Sequence, residues 1–245
     1  VRGGVQLTKA GEAFLPFAQQ MMAAMEDGRL AVQNTVETAK RRVRLALVGT
    51  LASTSLTDRL RQFRMAQPQI QLHLQTARSA EVSRLVKQGK AQVGLRYFFD
   101  EGEELTQKIV WDEQQIVVCS PQHLFERTAI SIDDLSNIPW TTYPPGSSGE
   151  PFAQVLFDQL AQAGVKAKEP IIIDSLTAQK RLIEADFAIG LLPISSVQEE
   201  LRLGSLRRLH LPQLETAVPV VMLSRKDGFI NAAMQTLQTL LSTPA

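Results

Sequence analysis

The chain has 245 residues, 44% of them hydrophobic, and a formal net charge of +1. This length is ample for a hydrophobic core, so folding requires no metal, and the single cysteine excludes an intrachain disulfide. The balanced charge excludes a general electrostatic attraction to nucleic acid. No apolar run approaches the roughly 20 residues of a membrane span and no signal-peptide pattern opens the sequence, so we expect a cytoplasmic protein without a membrane partner.

A long helical pattern begins at Thr8, which can cap a helix, and continues to about Arg42. Pro16 interrupts it and predicts a kink. Apolar or small residues recur three and four positions apart along the helix and form a heptad seam: Phe14, Ala18, Met21, Met25, Gly28, Val32, Thr35 and Ala39. So much apolar surface needs a partner, which is either a second protein surface or the helix's own domain.

After Arg42 the pattern changes to alternating strands and helices. Strands are predicted at 43–48, 70–74, 93–95, 116–119, 140–143, 171–174, 189–192 and 218–224. Helices are predicted at 54–66, 80–88, 151–163, 177–185, from about 193 to 202, and at 229–241. This alternation predicts an α/β fold with parallel sheets covered on both faces. No linker separates the two halves, which suggests that strands cross between them.

Catalytic and metal-binding patterns are weak. His73, His123 and His210 are far apart and lack metal-ligand spacing. The Gly146–Gly149 turn lacks the Gly-Lys-Ser/Thr ending of a phosphate-binding loop, and the sequence has no Gly-x-Ser-x-Gly elbow of a hydrolase. We therefore predict no cofactor, no metal and no enzymatic activity.

Helix N-termini that follow predicted strands point to an anionic ligand. Their unpaired N–H groups and the helix dipole attract negative charge, and strand carboxyl ends face the crevice of an open α/β sheet. Three such termini lie at 50–53, 146–148 and 175–177, where each Ser or Thr could also be a plain helix cap. Arg96 and Tyr97 add a cation and an aromatic hydroxyl beyond the third predicted strand.

Several motifs resemble one known family, the LysR-type transcriptional regulators. The Gly-Gly turn at 3–4 and the run Gly4-Val5-Gln6-Leu7-Thr8-Lys9-Ala10-Gly11 resemble the join between a DNA-binding wing and its linker helix. The segments at 43–50, 88–94, 120–123, 174–179 and 190–193 resemble the effector domain of that family. The order and spacing of these motifs support the resemblance more than any single one, and they extend from Arg2 to Leu241.

The resemblance implies a fold of two Rossmann-like subdomains of the periplasmic-binding-protein (type 2) kind, preceded by a long linker helix. The implied domains are a winged helix-turn-helix remnant at 1–7, a linker and dimerisation helix at 8–42, effector subdomain I at 43–118 plus 218–245, and subdomain II at 119–217. Only Arg2 would remain of the DNA-binding surface. We therefore expect DNA binding in a longer, full-length protein only.

The resemblance also implies a small organic effector, which we expect to be a carboxylate, in the cleft between the subdomains. We predict these effector-binding residues, mainly from the strand ends and helix N-termini: Thr50, Leu51, Ser53, Arg96, Tyr97, Cys119, Ser147, Ser148, Ser175, Thr177, Leu192 and Pro193. Cys119, at a strand end, could instead be an ordinary packed thiol or a redox sensor. Dimer or tetramer formation would use Phe14, Met21, Met25 and Val32 of the helix, and Leu56, Leu60 and Phe63 against Val82, Leu85 and Val86 of a partner. Those last six residues could instead be ordinary core. The alternative function is a solute-binding protein of a transport system, which shares the fold but does not explain the opening motif or the heptad seam.

Overall fold

The structure is a computed structural model that describes residues 6–35, 42–52, 54–123, 130–144, 152–166 and 168–243. The helices in these residues are α1 (Lys9–Thr35), α2 (Thr54–Ala66), α3 (Ser79–Lys87), α4 (Phe152–Gln162), α5 (Leu176–Glu184), α6 (Ile194–Leu203) and α7 (Ala232–Ser242). The strands are β1 (Arg42–Val48), β2 (Gln71–Ala77), β3 (Val93–Tyr97), β4 (Leu105–Cys119), β5 (Trp140–Thr142), β6 (Ile171–Ile172), β7 (Ile189–Pro193), β8 (Arg207–Leu209) and β9 (Thr216–Arg225). Short 3-10 turns occupy Gly49–Leu51 and Ile132–Leu135.

The predicted alternation of strands and helices is confirmed, with one strand much longer than expected. The strand predicted at 116–119 is only the end of β4, which begins at Leu105. Polar residues between Thr106 and Gln115 concealed its first part, because that part lacks the apolar run by which a buried strand is recognised. The three-residue strand β8 was not predicted.

The strands form one sheet in the order β2-β1-β3-β9-β4-β7-β5-β6, with β8 also paired to β4. Strands β1, β2 and β3 run parallel, as do β5, β6 and β7. The long strands β4 and β9 pair antiparallel from Leu105 to Gln115 and join the two parallel groups. The expectation that strands cross between two halves is confirmed.

The buried apolar residues divide into two regions. One core contains residues between Val43 and Leu105 together with residues between Val218 and Leu241. The other side of the crossing strands has two smaller clusters, built from residues between Ile116 and Leu214. We call the parts around these cores subdomain I and subdomain II.

Helix α1 lies against subdomain I along one face. Ala23 and Leu30 are buried there, with 1% and 8% exposure. On the same face Glu26 forms an ion pair with Arg44 of β1 at 2.5 Å, and Asp27 forms one with Arg225 of β9. Gly89 has a φ of +68°, which favours glycine, and a Cβ there would approach the Cα of Ala23 to 3.2 Å, a tight contact.

The opposite face of α1 is the heptad seam, and it is exposed. Phe14, Met21, Met25 and Val32 are 59%, 56%, 70% and 65% exposed. At 100° per residue these four positions lie about half a turn from Ala23 and Leu30. The helix therefore rests on its own domain and still presents an apolar stripe.

The second predicted dimerisation surface is assigned to the core by the structure. Leu56, Phe63, Val82, Leu85 and Val86 are at most 4% exposed and belong to the core of subdomain I, and Leu60 packs against that core. Helices α2 and α3 direct these apolar side chains at the protein's own sheet and α7. Burial within the single chain is the alternative that the sequence left open for these residues.

The ion pair of Glu26 predicts a pH-dependent attachment of α1. The hydrogen bond from Arg29, supported by Arg44, lowers the pKa of Glu26 from 4.5 to about 2. A lowered pKa means that the stabilisation is fully present above pH 4.5 and is lost as pH falls towards about 2. We expect the Glu26→Gln variant to be less stable than the wild type at neutral pH and to converge with it as the solution is acidified.

Urea unfolding of both proteins across this pH range measures the difference. Glu12→Gln is the control, because Glu12 is an exposed glutamate of the same helix. A Glu26→Gln difference that stays constant with pH would contradict the assignment.

Candidate functional site

A cleft of about 400 Å³ lies between the subdomains, at the carboxyl ends of the parallel strands. Subdomain I lines it with residues that end or follow β1, β2 and β3: Val48, Gly49, Thr50, Thr76, Ala77, Arg78 and Tyr97. The other wall consists of Gln115, Thr141, Thr142, Tyr143, Pro144, Leu156, Asp174, Leu176, Thr177, Gln179, Leu191 and Pro193. Most of this surface is apolar or neutral, as in sites for small organic molecules.

A hydroxyl pair occupies the subdomain I side of the cleft. Thr50 Oγ1 donates a hydrogen bond to the phenolic oxygen of Tyr97 at 3.0 Å, and Tyr97 is 1% exposed. The Ser196 hydroxyl of subdomain II donates to the Thr50 carbonyl at 3.1 Å. These bonds fix the turn after β1.

Two buried polar atoms stand out on the opposite wall. Gln115 Nε2 and Thr141 Oγ1 have no hydrogen-bond partner among the described residues, although their residues are 3% and 2% exposed. Gly190 pairs with Thr141 in the sheet, and a Cβ at Gly190 would come within 3.0 Å of Thr141 Oγ1. Buried donors without partners are unfavourable in a folded protein and are often found where a ligand completes the hydrogen bonding.

Four of the predicted effector-binding residues line the cleft together: Thr50, Tyr97, Thr177 and Pro193. Three others, Ser53, Ser147 and Ser148, lie outside the described residues, as does Arg2. Ser175 caps α5 by accepting a hydrogen bond from the Ala178 amide at 3.4 Å, which is the plain capping role. It is not among the lining residues.

The remaining predicted residues face away from the cleft. Arg96 is 5% exposed and donates to Ser83 Oγ at 2.7 Å and to Asp100 Oδ2 at 2.9 Å, on the α3 side of β3. Successive residues of a strand point to opposite faces, so the presence of Tyr97 in the cleft directs Arg96 elsewhere.

Leu51, Cys119 and Leu192 are core residues of the subdomains rather than cleft residues. The same alternation places Leu192 behind its lining neighbours Leu191 and Pro193. Burial raises the pKa of the Cys119 thiol, so at neutral pH this cysteine is a packed thiol rather than a thiolate.

Sequence reasoning missed Gln115, Thr141 and Arg78 as lining residues. Arg78 directly follows β2, so the strand-end rule that selected Thr50 could have found it. Among the residues that the structure describes, no group of His, Cys, Asp and Glu is arranged to hold a metal ion. No helix within the described ranges is long and apolar enough to cross a membrane.

A sheet of two parallel groups joined by crossing strands, with a ligand-sized cleft between them, defines a two-subdomain small-molecule-binding protein. Residues 37–243 match the LysR substrate binding domain, and the chain belongs to that family. It is thus the effector-binding domain of a LysR-type regulator.

Comparison with individual proteins agrees with this assignment. The HTH-type transcriptional regulator YofA of Bacillus subtilis is 25% identical over 233 residues, which cover 95% of this chain and 78% of YofA. The uncharacterized HTH-type transcriptional regulator YraN of the same organism is 22% identical over 197 residues, and the match covers 80% of this chain but only 64% of YraN.

Solved structures share the fold at low sequence identity. The BenM effector binding domain with its effector benzoate has a TM-score of 0.69 at 16% identity, covering 82% of this chain and 90% of that one. The effector binding domain of QuiR in complex with shikimate has a TM-score of 0.68 at 15% identity, covering 82% and 94%. The expected periplasmic-binding-protein-like architecture is confirmed.

Proposed function

We propose that this chain is the effector-sensing and oligomerising part of a LysR-type transcriptional regulator, and that its effector is a small organic carboxylate bound in the cleft. It acts by binding rather than by catalysis. In a full-length protein, occupancy of the cleft would alter how DNA-binding domains, present in the related regulators, are held.

The observation on which this proposal depends is the pair of unpartnered buried donors, Gln115 Nε2 and Thr141 Oγ1. A carboxylate is an acceptor-only group with two oxygens, so it can satisfy an unpartnered buried donor such as Thr141 Oγ1. An amide of the same shape has one acceptor oxygen and one NH₂ donor group. Its NH₂ would therefore point at a hydrogen-bond donor of the protein where a carboxylate would present its second oxygen. Benzoate and shikimate, the ligands of the two structural neighbours named above, are both carboxylates.

The exposed seam of α1 supports the oligomeric part of the proposal. Four residues of the seam are each more than half exposed: Phe14, Met21, Met25 and Val32. Together they form an apolar stripe on the face of α1 that points away from subdomain I. An apolar stripe at heptad spacing is suited to a second copy of the same helix.

Thr141→Val is the sharpest test of the carboxylate site, because it removes the hydroxyl and keeps the shape. A hydrogen bond to a charged group contributes about 1.5–3 kcal/mol, so we expect carboxylate affinity to fall about tenfold to a hundredfold. Removing an unpartnered buried hydroxyl should leave the free protein as stable as the wild type or about 1 kcal/mol more stable. Calorimetric titration with benzoate, shikimate and succinate, beside their amides, measures affinity, and urea unfolding measures stability.

Thr50→Val is the comparison variant, because Thr50 lines the same cleft with its hydroxyl directed at Tyr97. We expect a smaller loss for it. Amides that bind as tightly as the acids would refute the carboxylate assignment, and an unchanged Thr141→Val affinity would exclude Thr141 from the site.

A further inference from the structure

Among the described residues that line the cleft, one pair carries opposite charges, with one member on each subdomain. Arg78 follows β2 of subdomain I, Asp174 follows β6 of subdomain II, and Arg78 Nη2 lies 3.2 Å from Asp174 Oδ2. Among the described residues that line the cleft, every other side chain is neutral. The charges therefore cancel across the opening.

This ion pair also connects the subdomains. No other ion pair within the described ranges joins a residue of subdomain I to one of subdomain II. Both side chains lie at the rim, with 49% of Arg78 and 66% of Asp174 exposed. An exposed pair of this kind is weak and exchanges readily for another partner.

We propose that Asp174 is an internal competitor, which pairs with Arg78 until an effector carboxylate takes its place. This inference rests on the proposed function and names the cation that selects the acid. A guanidinium binds carboxylates in a planar, two-pronged geometry, so the ligand can offer Arg78 the same oxygens that Asp174 offers. The exchange replaces the rim contact between subdomains with a contact to ligand, and so couples occupancy of the cleft to the subdomain arrangement.

The competing carboxylate weakens effector binding in two ways. It occupies the guanidinium that the ligand needs, and once displaced it remains a nearby negative charge. Asp174→Asn removes the charge and retains the size. We expect the tightest-binding acid among benzoate, shikimate and succinate to bind this variant about threefold to tenfold more tightly than the wild type.

Asp58→Asn is the matched control, because it makes the same change in net charge outside the cleft. Asp58 is an exposed residue of α2 that pairs with Arg61 at 3.3 Å. Its affinity for the acid should equal that of the wild type, and the corresponding amide should bind all three proteins equally. Arg78→Gln should reduce the preference for acid over amide.

Calorimetric titration of these four proteins decides the inference. A gain confined to Asp174→Asn, including acid binding that appears only in that variant, supports it. An equal gain in Asp58→Asn, or an unchanged affinity in Asp174→Asn while the wild type binds the acid, overturns the competitor role and leaves the proposed function standing. If neither the wild type nor Asp174→Asn binds any of the acids, both are overturned.

Discussion

Replacing Phe63 by alanine is expected to lower the free energy of unfolding by about 3–5 kcal/mol, a large part of the stability of a small domain. Phe63 is 1% exposed and lies in the core of subdomain I, where helix α2 packs on the sheet and α7. Truncation to alanine removes most of the buried ring and leaves a cavity that the surrounding side chains fill only partly. Urea unfolding gives the value directly.

Met65→Ala on the same helix provides the control. Met65 is 76% exposed, so we expect its truncation to change stability by no more than about 0.5 kcal/mol. Light scattering of both variants measures self-association, and so distinguishes a core role of Phe63 from an interface role. A Phe63→Ala protein that unfolds like the wild type but associates more weakly would place Phe63 in an interface after all.

Phe63 also illustrates a limit of sequence reasoning. The apolar periodicity of α2 and α3 predicts that one face of each helix is buried, and the structure confirms those helices. Periodicity carries no information about which surface covers that face, so Val82 and Val86 could equally have been core or interface residues. Only the packing of the helices on β1 and β3 decides between the two.

The location of the cleft was more predictable than its chemistry. The ends of strands in an α/β sheet can be recognised locally in the sequence. This feature led to the prediction of Thr50 and Tyr97, which both line the cleft. Gln115 lies inside β4, and its position in the cleft depends on pairing with Pro193 and Thr216, both remote in sequence. No local pattern marks such a residue as a ligand donor.

Arg96 shows how a small error in register reverses an assignment. The strand predicted at 93–95 continues to Tyr97 in β3. Alternation makes adjacent residues face opposite sides, so an uncertainty of one residue exchanges core for cleft. The cation among the described lining residues is Arg78, which follows β2, on the far side of β1 from β3. The sequence pattern supports the idea of a cation at a strand end and leaves open which strand supplies it.

The helix seam supplies the prediction with the largest expected effect on assembly. If two copies of α1 pair along the seam, a symmetric dimer buries four side chains from Met21 and Met25, which are 56% and 70% exposed in the single chain. Full burial of a methionine contributes about 1.5–3 kcal/mol, so burying the exposed fractions of these four contributes roughly 4–8 kcal/mol. Met21→Glu with Met25→Glu removes this contribution and brings like charges together, and should weaken association more than about a thousandfold.

The control carries the same charges away from the seam. Ala13 and Gln20 are exposed residues of α1 that lie roughly 80–140° around the helix axis from Met21 and Met25, so Ala13→Glu with Gln20→Glu should leave association close to that of the wild type. Sedimentation equilibrium over a wide concentration range compares the three proteins. The seam is not the interface if the methionine variant remains associated at the concentrations where the wild type does, or if the control dissociates equally. A wild type that is monomeric at every concentration would show that the exposed stripe of α1 does not drive self-association.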